Sequence, residues 1–224
     1  MIWTAIRTKN ADVYNIGDTK NVTINHKTYT VRLVNKTYED CDTKENGFSQ
    51  TACGFVFEFV EYIGTNVMNS TSTNIGSFPA TSAYNYLKSG IYESLPSDLK
   101  NVIADTYIVY GHGASQEENN FSATEKLYLP SVKELYGNNC YGLTNICNGD
   151  TANDYTKELE YYKYNDNKED RKKHDVDSNT AQNLWLRSPS KDDTNGFLYV
   201  SMNGSPGTAF PQQRYGLAPL FRIE

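Results

Sequence analysis

Cysteine, histidine and tryptophan are scarce in this sequence, and basic residues are outnumbered by acidic ones. The four cysteines stand at 41, 53, 140 and 147 with no Cys-x-x-Cys pair, and the three histidines are scattered at 26, 112 and 174. A zinc site needs such ligands in clusters, so no metal or other cofactor is expected. On proximity the simplest disulfides are Cys41–Cys53 and Cys140–Cys147; buried free thiols suit the same spacing. Lys and Arg total 21 against 27 Asp and Glu, a net charge of −6. Nucleic-acid binding needs a basic footprint, so no nucleic-acid partner is expected. No stretch approaches the roughly eighteen to twenty apolar residues of a membrane-spanning helix, which argues against membrane insertion. The first residues lack the basic-then-apolar pattern of a leader, so export by a classical signal is not expected. There is no internal repeat, low-complexity tract or dividing linker, which favours one α+β domain over residues 1–224.

What is abundant is tyrosine, at 18 residues, alongside many Asn, Ser and Thr; 38% of the chain is hydrophobic and the mean hydropathy is −0.65. Tyr supplies wide amphipathic contact area at low rotamer cost, and Ser, Asn and Gly supply adaptable hydrogen bonds, the mixture favoured in binding loops. The same composition arises where Tyr fills half-buried sheet positions.

The first third reads as strands. Val22 and Ile24 alternate with polar residues, Asn25-His26-Lys27 makes a turn, and Tyr29, Val31 and Leu33 alternate on the return, which predicts a hairpin. Phe55, Phe57 and Phe59 repeat with period two beside Val56 and Val60, a strand buried on both faces. Tyr84, Leu87, Ile91 and Leu95 then recur at helical spacing behind a Ser82 N-cap. Gly90 weakens that helix by roughly 1 kcal/mol relative to Ala. Pro96 ends it, and Ser97 caps a short second helix that buries Leu99, Val102 and Ile103. Thr106–Tyr110 and Lys126–Leu129 read as extended, and Ser131 with Glu134 has capping-box spacing.

From about 137 to 182 the periodicity dissolves, which points to a functional excursion or a mobile surface insertion. Within it Arg171-Lys172-Lys173-His174 lies in a mixed-charge stretch from Lys157 to Asp177, expected to be a solvated helix or loop. Strand grammar returns at Leu184–Arg187, Gly196–Met202 and Leu217–Ile223. Asn203-Gly204 forms a hairpin turn, and a Gly/Pro/Gln-rich loop follows from Ser205 to Arg214.

Catalytic chemistry is thin. His112 between Gly111 and Gly113 is the best candidate base, but no Ser or Cys partner is placed by the sequence, and a lone His between glycines at a strand end is more often a turn residue. Gln116-Glu117-Glu118 reads as a solvated loop. The C-terminal stretch is more informative: Trp185 and Phe221 are core anchors, each able to bury roughly 150–250 Å². Arg187 and Arg222 beside them can tie loops to carboxylates or carbonyls. Between these pins lies a polar, aromatic and small-residue texture that suits a binding face held on rigid strands.

Trp185-Leu186-Arg187-Ser188, followed by Tyr215-Gly216-Leu217-Ala218-Pro219-Leu220-Phe221-Arg222-Ile223, resembles the signature of a large family of bacterial and phage-associated domains. Upstream, Tyr14–Thr19, Ser49–Phe55, Leu95–Ile103 and Lys126–Ser131 resemble it too, so most of the chain is covered. That family is similar to the variable proteins of diversity-generating retroelements, built on a C-type-lectin-like fold related to formylglycine-generating enzymes. The resemblance implies mixed and antiparallel strands, two or more short helices, long irregular loops and a variable region at about 185–223. It implies that Trp185, Arg187 and Gly216–Ile223 are framework. The diversified positions would then be Ser190, Asp192, Asp193, Asn195, Gly196, Leu198, Tyr199, Ser201, Asn203, Ser205, Gly207, Thr208 and Phe210.

The chain departs from sugar-binding lectins in lacking a Glu-Pro-Asn, Gln-Pro-Asp or Trp-Asn-Asp calcium motif. It departs from formylglycine-generating enzymes in having no cysteine in the C-terminal segment. The implied role is therefore binding, not catalysis, toward a protein or cell-surface ligand at a virion or bacterial surface. The rivals are an enzyme, for instance a hydrolase, using His112 or the 116–118 acids, and a purely structural tail or surface module.

Overall fold

The computed structural model describes residues 13–38, 47–114, 119–138 and 155–223; the Cys140–Cys147 pairing and Gln116-Glu117-Glu118 lie outside them. Cys53 is disulfide-bonded, with its partner outside the described residues. The chain is α+β, with open sheets and short helices between them. No helix among the described residues is long and apolar enough to cross a membrane.

The first sheet is built on the expected hairpin, β1 (Thr19–Ile24) and β2 (Lys27–Asn35). Its turn is tighter than the sequence suggests: Ile24 pairs directly with Lys27, and Asn25 and His26 both take left-handed backbone, at φ 49° and 66°. That conformation is the one a two-residue hairpin loop requires, and Asn tolerates it better than most residues. β3 (Phe55–Phe59) pairs with β2 and is buried at every residue, as its apolar run predicts.

The helical segment begins one residue earlier than read from the sequence, because Thr81 and not Ser82 caps it, accepting from the Tyr84 N–H. α1 (Ser82–Tyr86) then widens into a π-helix over Leu87–Tyr92, across the Gly90 that weakens helical winding. α2 (Ser97–Lys100) follows, entered from Pro96 without a side-chain cap. It buries Leu99, and Ile103 just beyond it, while Val102 is half-buried. β5 (Thr106–Tyr110) pairs with β6 (Phe121–Glu125).

α3 (Val132–Tyr136) starts with a complete capping box. Ser131 Oγ accepts from the Glu134 N–H at 3.1 Å, and Glu134 Oε2 accepts from the Ser131 N–H at 2.9 Å. Both residues are fully buried. Ser131→Ala is expected to lower stability by about 1–2 kcal/mol, read as a shifted urea midpoint at unchanged slope; an unmoved midpoint would show the cap to be redundant.

The stretch read as a surface excursion is, in its described part, docked against the first sheet. α4 (Glu160–Tyr164) contacts β2, and the paired strands β7 (Lys173–His174) and β8 (Ala181–Gln182) follow a 3-10 turn over Lys168–Arg171. Arg171 and Lys173, expected to be solvated, are 2% and 5% exposed. What holds Lys173 inside is Glu58, buried on β3 opposite Arg32 of β2. Its carboxylate accepts from Arg32 Nε at 2.8 Å, from the Tyr162 hydroxyl at 2.6 Å and from Lys173 Nζ at 2.8 Å. Burial alone would raise the Glu58 carboxyl, but Arg32 and Lys173 hold it below its ordinary value. Arg171 donates to the carbonyls of Leu135 and Asn167 and lies over the rings of Tyr136 and Tyr162. Charge pairing that no hydrophobic periodicity reveals therefore anchors this segment.

The second sheet is made of β4 (Gly64–Val67), β9 (Leu184–Pro189), β10 (Phe197–Val200), β11 (Pro206–Ala209) and β12 (Arg214–Leu217). They lie in the order β11-β10-β9-β12-β4. Part of the Gly/Pro-rich loop is therefore strand, because Pro206 stands at the first residue of an edge strand, where its missing N–H costs nothing. The expected strand Leu217–Ile223 is two strands in two sheets. The chain breaks at Ala218-Pro219, where Pro cannot continue the ladder, and β13 (Leu220–Ile223) joins β3 at the edge of the first sheet. Segments 55–67 and 214–223 thus run antiparallel through both sheets, with Ile63 donating to Leu217 and Phe59 to Pro219 across the break.

Candidate functional site

The pins expected to frame the variable region are buried. Trp185 is 1% exposed and donates its indole N–H to the Asn66 carbonyl at 3.1 Å. Arg187 is 0% exposed and grips Glu134 through two bonds of 2.6 and 2.7 Å, with a third to the Leu129 carbonyl at 2.8 Å. Such a planar two-point contact fixes orientation as well as distance. Arg222 donates from Nε to the Cys53 carbonyl at 2.8 Å, and Phe221 stacks on Phe57 with ring centroids 5.6 Å apart. Gly216–Ile223 is buried throughout.

Between these pins the expected positions separate into two groups. Asp192, Asp193, Asn195, Asn203, Thr208 and Phe210 are exposed, and Tyr199, Ser201, Ser205 and Gly207 are half-buried. Ser190, Gly196 and Leu198 are buried and belong to the scaffold instead. Leu198 points into the core beside Val200, because alternate residues of a strand face opposite sides. Ser190 and Gly196 close a loop by a main-chain bond of 2.9 Å from the Ser190 N–H to the Gly196 carbonyl.

The exposed and half-buried positions form three patches. The first is the loop Lys191–Asn195. The second is the β10–β11 turn, where Gly204 donates to the Ser201 carbonyl and takes φ +74°. There Ser201 pairs with Ser205, so the Asn203-Gly204 turn is a three-residue loop with glycine at its left-handed position, not a two-residue one. The third is the face of the sheet, where Tyr199 pairs with Gly207 on one side and Trp185 on the other. A Cβ on residue 207 would stand 2.8 Å from the Tyr199 ring, so Gly207 makes room for that ring to lie against its strand. Tyr199 and Tyr215 contact with centroids 5.1 Å apart, and Tyr215 rests on Trp185 at 4.6 Å. Tyr215, read as part of the closing motif, is half-buried and shares this face with Tyr199. Exposed Met202 at 51% and Phe210 at 62% add apolar surface on the turns at either end of the β10–β11 hairpin.

Sequence reasoning missed Asn74, which is 1% exposed in the connection between β4 and α1 and holds the first loop from outside. It lies in a run of Ser, Thr and Asn without periodicity, where nothing marks one residue above its neighbours.

The other candidates are elsewhere. His112 is half-buried after β5 and its main-chain N–H donates to Asn120 Oδ1. Among the described residues no group of three His, Cys, Asp or Glu could hold a metal ion. A cavity of about 510 Å³ lies between the π-helix and the end of β6, lined by Lys88, Tyr92, Glu125 and Leu127 among others. Its Glu125 is buried and occupied by the Tyr84 hydroxyl and Lys88.

Comparison with known proteins returns no matching curated protein and no matching solved structure. One family model matches, a domain of unknown function designated DUF6273, over residues 58–224. The match opens in β3 and runs through the 160–174 segment, the second sheet and the returning strand β13; the chain belongs to the DUF6273 family.

Proposed function

We propose that this protein binds a target through the exposed side chains of residues 191–214, carried on a scaffold of C-type-lectin-like type. The variable protein of a diversity-generating retroelement is the model for this reading. The target is a protein or cell-surface ligand, and the setting a virion or bacterial surface; nucleic acid is not the partner, and the role is not catalytic. One observation carries the proposal: side chains on two turns and one sheet face reach solvent, while the residues framing them are buried and bonded to the core. Exchanging an exposed side chain leaves a packed interior untouched, so such a surface can change without unfolding its support. Half-exposed Tyr and exposed Phe suit contact with a partner, since aromatic residues dominate binding energy where they are desolvated on association.

The test compares sibling genes and any cognate template repeat beside them. Differences are expected to concentrate at Lys191–Asn195, Tyr199, Ser201–Asn203, Ser205, Gly207–Phe210 and Gln212–Arg214, to track adenines in the template, and to spare the buried Ser190, Gly196, Leu198 and Gly204. Differences scattered evenly along the chain would reject the proposal.

A further inference from the structure

The loop from Ser190 to Gly196 exposes every side chain from Asp192 to Asn195, with Lys191 half-buried. Loops with so little buried side-chain surface are ordinarily mobile, yet this one is held from below. Asn74 Nδ2 faces three carbonyl oxygens of the loop: Ser190 at 3.2 Å, Asp193 at 3.0 Å and Gly196 at 2.9 Å. The Asn74 main-chain N–H reaches a fourth, Thr194, at 2.7 Å. One residue therefore gathers both ends and the middle of the loop onto a single point. All four of these contacts go to main-chain oxygen, which every amino acid provides.

We infer that Asn74 is the positioning residue of the recognition surface, fixing the Ser190–Gly196 loop through its main chain and leaving the side chains at 191, 192, 194 and 195 free to be exchanged. This rests on the proposed binding role for its purpose, though the clamp itself can be tested without any ligand. Asp193 is set apart, since its Oδ1 also accepts from the Asn195 N–H at 2.7 Å. An amide is the group this position requires. It carries two donor hydrogens to share among converging acceptors, while a carboxylate of the same shape would bring its own oxygens against theirs.

The experiment is residue-resolved amide hydrogen exchange on the full chain, comparing wild type with Asn74→Ala. Asn74→Ser, too short to span the loop, stands in should the alanine variant not accumulate. The Ser190 amide and the loop amides are expected to exchange roughly tenfold faster or more in either variant. The amides of Val31 and Phe57 in the first sheet should hold their protection. Conversely, Asp192→Ala, Thr194→Ala and Asn195→Ala should leave exchange at Ser190 as in wild type. Unchanged Ser190 protection in the Asn74 variants would overturn the assignment. So would an equal loss of protection throughout the chain, or loosening of the loop by the exposed-side-chain variants. If sibling genes show no clustered differences while the clamp behaves as described, the binding proposal falls and the positioning role of Asn74 stands.

Discussion

Glu58→Gln is expected to lower the unfolding free energy by about 3–5 kcal/mol at neutral pH, because it leaves two buried cations, Arg32 and Lys173, without their shared anion. The amide keeps the shape and some hydrogen bonding but removes the charge that compensates their desolvation. Urea unfolding reads the loss as a lower midpoint at similar slope; a change under about 1 kcal/mol would show that neighbouring carbonyls and Asp170 suffice. The same carboxylate imposes a pH dependence. Its folded value lies below the ordinary 4.5, so its contribution is whole above the unfolded value and drains as the pH falls through the lower folded one. Wild-type stability should therefore decline on acidification below about pH 4.5, and the Glu58→Gln variant should show a flatter acid limb. An acid limb of equal steepness in both proteins would place the titrating group elsewhere.

The second large effect separates scaffold from surface. Trp185→Ala removes a buried ring that packs against Tyr215 and donates to Asn66, and should cost about 3–5 kcal/mol by leaving a cavity and an orphaned carbonyl. Asp192→Ala, Asn203→Ala, Thr208→Ala and Phe210→Ala should each stay within about 0.5 kcal/mol of wild type. All four side chains lie in solvent. Phe210→Ala is the sharpest of these controls, since a large aromatic residue that contributes nothing to folding must be kept for another reason or be free to vary. If the four exposed changes together approached the cost of Trp185→Ala, the 191–214 surface would be part of the core and could not serve as an interchangeable face.

Much of the fold was legible in the residues. The β1–β2 hairpin, the doubly buried strand of Phe55, Phe57 and Phe59, the α1 helix and the Ser131–Glu134 capping box all rest on interactions within a few residues or on simple periodicity. So does the burial of Trp185 and of the closing motif, where large apolar side chains have only one favourable place to go. The candidate site was legible in outline for the same reason, as a polar, small-residue stretch between two apolar anchors.

What stayed hidden depends on partners far apart in sequence. Glu58 is separated from Lys173 by 115 residues, and Asn74 from Ser190 by 116. No local pattern announces either pairing, so Arg171 and Lys173 read as solvated charge and Asn74 as an ordinary loop residue. Leu217–Ile223 likewise reads as one strand, and only the presence of β4 and β3 as separate partners divides it between two sheets at Pro219. By itself the sequence determined which residues are apolar, where turns are cheap and which segments must be extended or helical, because those preferences act over a few bonds. The tertiary structure decided which charges are buried, which of the residues between Trp185 and Tyr215 face solvent, and what holds their loop in place. Those outcomes require the folded chain to bring distant carbonyls, carboxylates and cations within hydrogen-bonding reach.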